Sequence, residues 1–342
     1  MFRQSLLYLS ESRTARRVVT GTPISRHMAE RFVAGDTVEE AVGAARELNR
    51  QGLSVSLDYL GEAVASREEA TAATEMAIRT LERIAGEGID SNISIKPTQL
   101  GLDIDEEFCR ANVERVLERA RELGDGEGEI FVRLDMESSD YTERTVALVE
   151  TLWANGFRNV GTVLQSYLRR TPDDLERLIA LGSRVRLVKG AYKEPEPVAF
   201  QDKAEVDRMF LEEMQTLLTR GHYPAIATHD EAIIDATRRF AWEHGVSKDS
   251  FEFQMLYGIR RDLQTRLREE GYKVRVYVPF GDSWYPYLMR RLAERPANVL
   301  FIAGNIVRES PLRSFAKPAA VGAGIVAGAL LGLALRGRRN SR

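Results

Sequence analysis

Cysteine is almost missing from this chain of 342 residues, Cys109 being the only one. No internal disulfide and no cysteine metal cluster can be built from a single thiol, which fits a reducing compartment. Histidine is nearly as scarce. His27, His222, His229 and His244 form neither an HxH nor an HExxH pair, so no metal site is expected, and His229 in ATHD reads as a hydrogen-bonding residue rather than a ligand. A large excess of charge of one sign is also absent. The formal net charge of −3 argues against nucleic acid as the main partner. The opening MFRQSLLYLSESRTARR lacks the apolar run of a secretory signal, so the cytoplasm is the expected location. Gly322, Gly324 and Ala327 imitate a dinucleotide fingerprint. No strand precedes them and no βαβ unit surrounds them, so a Rossmann cofactor site is not indicated.

What is there is a soluble globular composition, 44% hydrophobic and 29% charged. Residues 1–52 read as a helical segment packed on the domain that follows. Pro23 opens one helix ending near Gly35; Asp36 or Thr37 caps the next, with Glu39 and Glu40 in its first turn and Gly52 just past its end. From residue 53 to 313 short runs of Val, Ile and Leu alternate with longer amphipathic stretches, the rhythm of βα units. Eight strands are expected, at 53–57, 92–95, 129–134, 159–164, 184–188, 224–228, 251–256 and 273–278. Ser66 with Glu69 suits a capping box, and Thr171 before Pro172 and Asp174 suits a cap with proline at the first helical position. Eight units favour an α/β fold of the (β/α)₈ TIM-barrel type over an open doubly wound sheet, with N-terminal helices before it and a hydrophobic tail at 314–342.

The residues leaving the expected strands are Asp58, Lys96, Asp135, Gln165, Lys189, His229, Tyr257 and Tyr277. Ionisable groups at the carboxyl ends of barrel strands mark the catalytic face. Lys96 and Lys189 stand out, because an amine at a barrel mouth is costly without an anionic partner. After the eighth strand, Tyr287, Arg290, Arg291 and Glu294 fall at helical spacing on or beside one face. Paired guanidinium forks suit a carboxylate or a phosphate, although a solvated helix with an Arg–Glu pair has the same spacing. Strand-end lysines equally suit a barrel aldolase with a Schiff-base lysine at Lys96 or Lys189. At this level aldolase, flavoenzyme and a non-catalytic binding barrel all stand.

Nine motifs, in order, then resemble one family. They are SLDYLGE at 56–62, ISIKPTQLGL at 93–102, VRLDME at 132–137, VLQSY at 163–167, RLVKGAY at 186–192, IATHD at 226–230, EFQMLYG at 252–258, RVYVPFG at 275–281 and YLMRRLAERPAN at 287–298. The chain resembles the flavin-dependent proline dehydrogenases, both the small monofunctional bacterial enzymes and the barrel of bifunctional proline utilisation proteins. The resemblance runs from about Leu53 to Asn305. It implies oxidation of L-proline to Δ1-pyrroline-5-carboxylate on FAD, with electrons passed to a quinone. It also implies a substrate site in which Arg290 and Arg291 clamp the carboxylate with Lys96, while Tyr277, Tyr287 and Leu256 line the ring. Asp135 and Arg186 match catalytic polar residues beside the flavin, Arg186 near its N5. Gln165, Lys189, Gly190, Ala191, Thr228 and His229 match cofactor contacts, and Met136, Glu294 and Asn298 are expected to add to them. Glu62 matches a gate that pairs with Arg290. The short stretch from Tyr277 to Tyr287 suits the small bacterial form, and too little chain follows Asn305 for an aldehyde dehydrogenase domain, so hand-off of the product to a separate pyrroline-5-carboxylate dehydrogenase is expected.

The tail is not explained by that resemblance. Pro318–Leu335 carries no charge and is followed by RGRRNSR. Its length reaches the lower limit of about 17–25 residues for a membrane-spanning helix, and Gly324, Gly328 and Gly332 form a small-residue stripe. Membrane contact at the cytoplasmic inner face is one reading. A flexible tail, or a helix covering part of the barrel, is the other.

Overall fold

The computed structural model describes residues 29–61, 64–124 and 129–294. Eight parallel strands close into one barrel in chain order. They are β1 (Ser54–Tyr59), β2 (Ser91–Ile95), β3 (Val132–Leu134), β4 (Val160–Gln165), β5 (Val185–Val188), β6 (Ala225–Ala227), β7 (Glu252–Leu256) and β8 (Lys273–Phe280). The ring closes where β8 pairs with β1, Val55 opposite Val276 and Leu57 opposite Val278. Each strand lies within a few residues of its expected place.

The helices are α1 (Val38–Arg50), α2 (Arg67–Gly86), α3 (Glu106–Glu122), α4 (Ser139–Ala154), α5 (Thr171–Leu181), α6 (Lys203–Arg220), α7 (Glu231–Glu243), α8 (Arg261–Glu269) and α9 (Trp284–Glu294). Thr37 caps α1 in a reciprocal box with Glu40, which satisfies two of the amide donors that a helix start leaves open. Ser66 caps α2 by accepting from Glu69 N, while the Glu69 carboxylate reaches back to Ala65 N. The expectation for α5 is corrected. Its cap is Arg170, which has no side-chain cap bond; Thr171 lies inside the helix, and its hydroxyl donates to the Gln165 carbonyl at 2.6 Å. A hydroxyl can satisfy a buried carbonyl as well as it can cap, and here the strand end takes it.

Apolar residues on the outer faces of the strands pack under the helices. Val55, Leu57, Ile93, Val132, Leu134, Val160, Val185, Leu187, Phe253, Val276 and Val278 are all buried in one continuous core with Leu81, Val113, Val149, Leu178, Met214 and Leu263. One close approach needs glycine. A Cβ on Gly161 in β4 would stand 2.2 Å from the Arg184 carbonyl oxygen and 2.9 Å from the Phe131 ring.

The chain divides into two units. One is the barrel, Phe32–Asp282; the other is Met1–Arg31 with Ser283–Arg342, whose described part holds α9. Among the described residues no helix is long and apolar enough to cross a membrane. The tail 314–342 and the helix expected from Pro23 lie outside the described residues.

Candidate active site

Barrel interiors are ordinarily filled by branched apolar side chains. This one is filled largely by charge. Side chains point alternately in and out along a strand, and here every second residue of several strands is polar: Ser56 and Asp58, Ser94 and Lys96, Arg133 and Asp135, Arg184 and Arg186, Glu252 and Gln254, Arg275 and Tyr277. Several of their contacts, Arg186 to Asp135, Ser94 and Gln254 and Tyr277 to Asp135, run between strands that are not neighbours, which only the inside of the barrel allows.

At the carboxyl ends of the strands, Lys96 Nζ donates to both oxygens of Asp58, at 2.8 and 3.0 Å, and stands 3.9 Å from Asp135. Asp135 is shared. Its Oδ1 accepts from Arg186 at 2.7 Å and its Oδ2 from the Tyr277 hydroxyl at 2.8 Å. Arg186 also donates to Ser94 Oγ at 3.1 Å and to Gln254 Oε1, and its guanidinium carbon lies 5.2 Å from the Tyr277 ring centre. Asp58, Lys96, Asp135 and Arg186 are all buried. Burial pushes the Asp58 carboxyl up to about 6, the pull of Lys96 opposing this and the neighbouring Asp135 adding to it. Burial, then the two carboxylates, raise the Tyr277 phenol well above its ordinary range, so it stays a hydrogen-bond donor.

Beneath the mouth a second layer balances charge. Arg275 Nε donates to both oxygens of Glu252, at 3.0 and 3.1 Å, and its NH1 to the Val55 carbonyl at 2.7 Å. Burial alone would raise Glu252; Arg275, with help from Gln254 and Arg133, outweighs it and holds the carboxyl below its usual range.

The residues expected to meet a cofactor occupy the ends of β3 to β6. Met136 and Gln165 are buried, and Gln165 Nε2 donates to the Glu137 carbonyl at 2.9 Å. Lys189 Nζ is held by Asp207 at 2.6 Å and Asp230 at 2.9 Å. Gly190 follows at φ 112°, in the left-handed region, where a Cβ would sit 2.3 Å from the Tyr167 ring; only glycine turns the chain there without strain. Ala191 is half-buried beside it. The buried Thr228 hydroxyl accepts from Asp230 N at 3.1 Å. His229 Nε2 accepts from the Leu256 amide at 2.9 Å, so its proton resides on Nδ1, and Leu256 is half-buried.

On α9, in the other unit, Tyr287 and Arg291 are buried and Arg290 is half-buried. Arg291 lies over the Tyr287 ring, 5.0 Å from guanidinium carbon to centroid, as the i, i+4 spacing requires. Glu62, Asn298 and the Glu294 side chain lie outside the described residues.

The structure therefore brings Asp135, Arg186 and Tyr277 into one hydrogen-bonded cluster, with Lys96 3.9 Å from Asp135. Sequence reasoning placed Asp58 on the catalytic face without its partner and gave no role to Ser94, Glu252, Gln254 or Arg275, although the polar alternation inside strands that are buried on both faces was a signal for them. The aldolase reading gains nothing from the geometry: both candidate Schiff-base lysines are engaged by carboxylates, Lys96 by Asp58 and Lys189 by Asp207 and Asp230.

Comparison with known proteins agrees in direction. The family model for proline dehydrogenase matches residues 41–304. Proline dehydrogenase 2 of Bacillus subtilis is 43% identical over 299 residues, covering 87% of this chain and 96% of that protein. Proline dehydrogenase of Deinococcus radiodurans is 43% identical over 286 residues, 82% of this chain and 91% of the relative. Among solved structures, proline utilization A from Bdellovibrio bacteriovorus, inactivated by N-propargylglycine, superposes with a TM-score of 0.75 at 24% identity. That match covers 94% of this chain and 39% of the other, and at this identity it supports the fold alone.

Proposed function

The chain belongs to the proline dehydrogenase family, a flavoprotein oxidoreductase of proline catabolism, and on that premise we propose that it oxidises L-proline to Δ1-pyrroline-5-carboxylate with FAD at the barrel mouth. The observation that carries this reading is the cluster of Lys96, Asp58, Asp135, Arg186 and the half-buried Tyr277, carried by β1, β2, β3, β5 and β8 and the residues just after them.

The donor set fits a flavin dinucleotide. Arg186 offers a forked cation suited to the electron-rich edge of the ring, and Gln165 an amide. Lys189 and the Thr228 hydroxyl, at the ends of the neighbouring strands β5 and β6, suit a diphosphate. Met136, Gly190, Ala191, His229, Glu294 and Asn298 complete the proposed contacts. Bound there, FAD supplies the acceptor for the hydride that leaves the ring carbon beside nitrogen.

The protein's own part is placement and charge. Lys96, fixed by Asp58, presents an ammonium to the substrate carboxylate, and Arg290 and Arg291 are its proposed partners in the clamp. Lys96, Arg290 and Arg291 together are the proposed cationic cluster, which favours the carboxylate, disfavours an ammonium on the substrate and helps its amine lose a proton before hydride departs. Tyr277, Tyr287 and Leu256 wall the ring, and holding one orientation makes the step effectively intramolecular. Glu62 is proposed as a gate on Arg290. Electrons pass on to a quinone. The product passes to a separate pyrroline-5-carboxylate dehydrogenase. Cytoplasmic location, with the 314–342 tail touching the inner face of a membrane, is part of the same proposal, because a quinone pool resides in the bilayer.

The test is a visible spectrum of the purified protein, followed by anaerobic L-proline. A yellow protein whose flavin bands bleach supports the proposal. Yellow protein indifferent to proline refutes the substrate, and protein that neither carries nor takes up FAD refutes the whole reading.

A further inference from the structure

Gln254 lies two residues below Leu256 on the inner face of β7, buried between two charges of opposite sign. Its Oε1 accepts from Arg186 Nε, and its Nε2 donates to Glu252 Oε1. The amide can be placed only one way round. A guanidinium offers no acceptor and a carboxylate no donor, so the carbonyl end must face Arg186 and the amino end Glu252. Glu252 is in turn gripped by both oxygens on Arg275, which is tied to the Val55 carbonyl. A continuous hydrogen-bonded chain thus runs from the β1 backbone through Arg275, Glu252 and Gln254 to Arg186, and on to Asp135 and Tyr277 at the mouth.

Glutamine is the side chain that this junction requires. Glutamate would set a carboxylate against Glu252, leucine or methionine would bond to neither neighbour, and asparagine is shorter by one methylene. Arg186 has donors at three nitrogens, each committed to a different partner: Gln254, Asp135 and Ser94. Losing the Nε contact leaves the guanidinium held only at its outer nitrogens, by Asp135 and Ser94, so its plane can tilt about that edge. It also leaves the Arg186 Nε and Glu252 Oε1 without their shared partner in a dry interior.

We propose that Gln254 is a positioning residue: by holding the plane of the Arg186 guanidinium it sets the reduction potential of the bound flavin. This rests on the reading that places Arg186 beside the flavin ring. A cation aimed at the flavin stabilises the electron-rich reduced form, and a cation turned away does so less, so the potential falls when the aim is lost.

The experiment measures the flavin midpoint potential, by dye equilibration, in purified holoenzyme of the native chain, Gln254→Leu, Gln254→Met, Arg186→Met and Phe253→Leu. Neither Gln254 substitution changes formal charge, so a shift reports geometry. The expected result is a fall equivalent to about tenfold in the oxidised-to-reduced equilibrium, about 30 mV for a two-electron couple, in whichever Gln254 variants fold. Arg186→Met falls further. Phe253→Leu, an outward-facing core change on the same strand, lowers the melting temperature and leaves the potential where it was. If Arg186→Met shifts the potential and neither Gln254 variant does, the positioning role is wrong while the placement of Arg186 survives. If Arg186→Met leaves the potential unmoved, that placement fails and the proposal fails with it. An equal shift in Phe253→Leu would also overturn it, since any loosened core would then do the same.

Discussion

Replacing Asp58 by asparagine should make this protein more stable at neutral pH and a poorer enzyme. The carboxyl is 1% exposed, and burial, against the pull of Lys96, pushes it up to about 6 from an ordinary 3.8. Its folded value lies above its unfolded one, so the folded chain holds the proton more tightly. The stabilisation this gives is complete below 3.8 and is lost as pH rises through about 6. The gap corresponds to about 3 kcal/mol at neutral pH. Asparagine has the shape of the protonated acid and cannot ionise. Native chain and Asp58→Asn should therefore match near about pH 4 and separate as pH rises, the variant becoming the more stable by up to about 3 kcal/mol near about pH 8. Urea unfolding followed by circular dichroism, at equal added FAD so that mass action is the same for both, measures the difference. Turnover should move the other way. Lys96 released from Asp58 can close on Asp135, 3.9 Å away, and kcat/KM for proline falls. A variant less stable than the native chain at the higher pH would refute the reasoning, because the attraction of Lys96 would then exceed the cost of burying the carboxylate.

Arg291→Met should raise KM for proline by the equivalent of about 2–4 kcal/mol in transition-state binding while flavin stays bound; steady-state kinetics with an unchanged KM would remove Arg291 from the clamp. Gly190→Ala places a side chain at φ 112° and a Cβ 2.3 Å from Tyr167, so the flavin-to-protein absorbance ratio after purification should drop, and an unchanged ratio would take that turn out of the cofactor site. Glu213, buried on α6, is pushed up to about 7, the Ser166 hydroxyl offsetting burial only in part. Its contribution is present below 4.5 and lost as pH rises through about 7. Melting curves of Glu213→Gln should therefore coincide with the native ones in acid and lie above them in mild alkali, and parallel curves at all pH values would contradict this.

The barrel was legible because its strands are buried on both faces and separated by helices with ordinary caps. At 53–57, 92–95 and 273–278 Val, Ile and Leu alternate with polar residues, so the count of eight units, more than any one run, favoured a closed barrel over an open sheet. Cap chemistry was less legible. Thr171 has the right neighbours for a cap, but the Gln165 carbonyl competes for the same hydroxyl, and only the fold brings that carbonyl within 2.6 Å. At the mouth, Lys96, Asp135, Arg186 and Tyr277 could be named from motifs. That Asp135 bonds both Arg186 and Tyr277 could not, since residues 135 and 277 meet only once the barrel closes. Asp58 was visible as a strand-end acid, yet its partnership with Lys96 depends on β1 lying beside β2 in the register that sets Asp58 opposite Ser94.

The polar interior also accounts for why this barrel tolerates so much buried charge. A lone guanidinium or carboxylate in such a place costs several kcal/mol, and the attraction of a single partner need not repay it. Here most of the groups are linked, and several of the charges have more than one partner. Arg275 spans Glu252 and the β1 backbone; Arg186 spans three strands' side chains. Arg133 shows the limit of the arrangement. Its NH1 bonds the Thr162 and Arg184 carbonyls and its guanidinium lies 4.7 Å from the Phe131 ring centre, but among the described residues its Nε has no hydrogen-bond partner, and burial draws its pKa well down. An apolar interior would fill the same space more cheaply. It would leave nothing to fix Arg186 and Lys96 in one orientation, and orientation is what a reaction between a clamped ring and a bound cofactor depends on. The charge in the barrel is therefore best understood as a scaffold for its mouth, held at a cost in stability that the Asp58→Asn comparison measures directly.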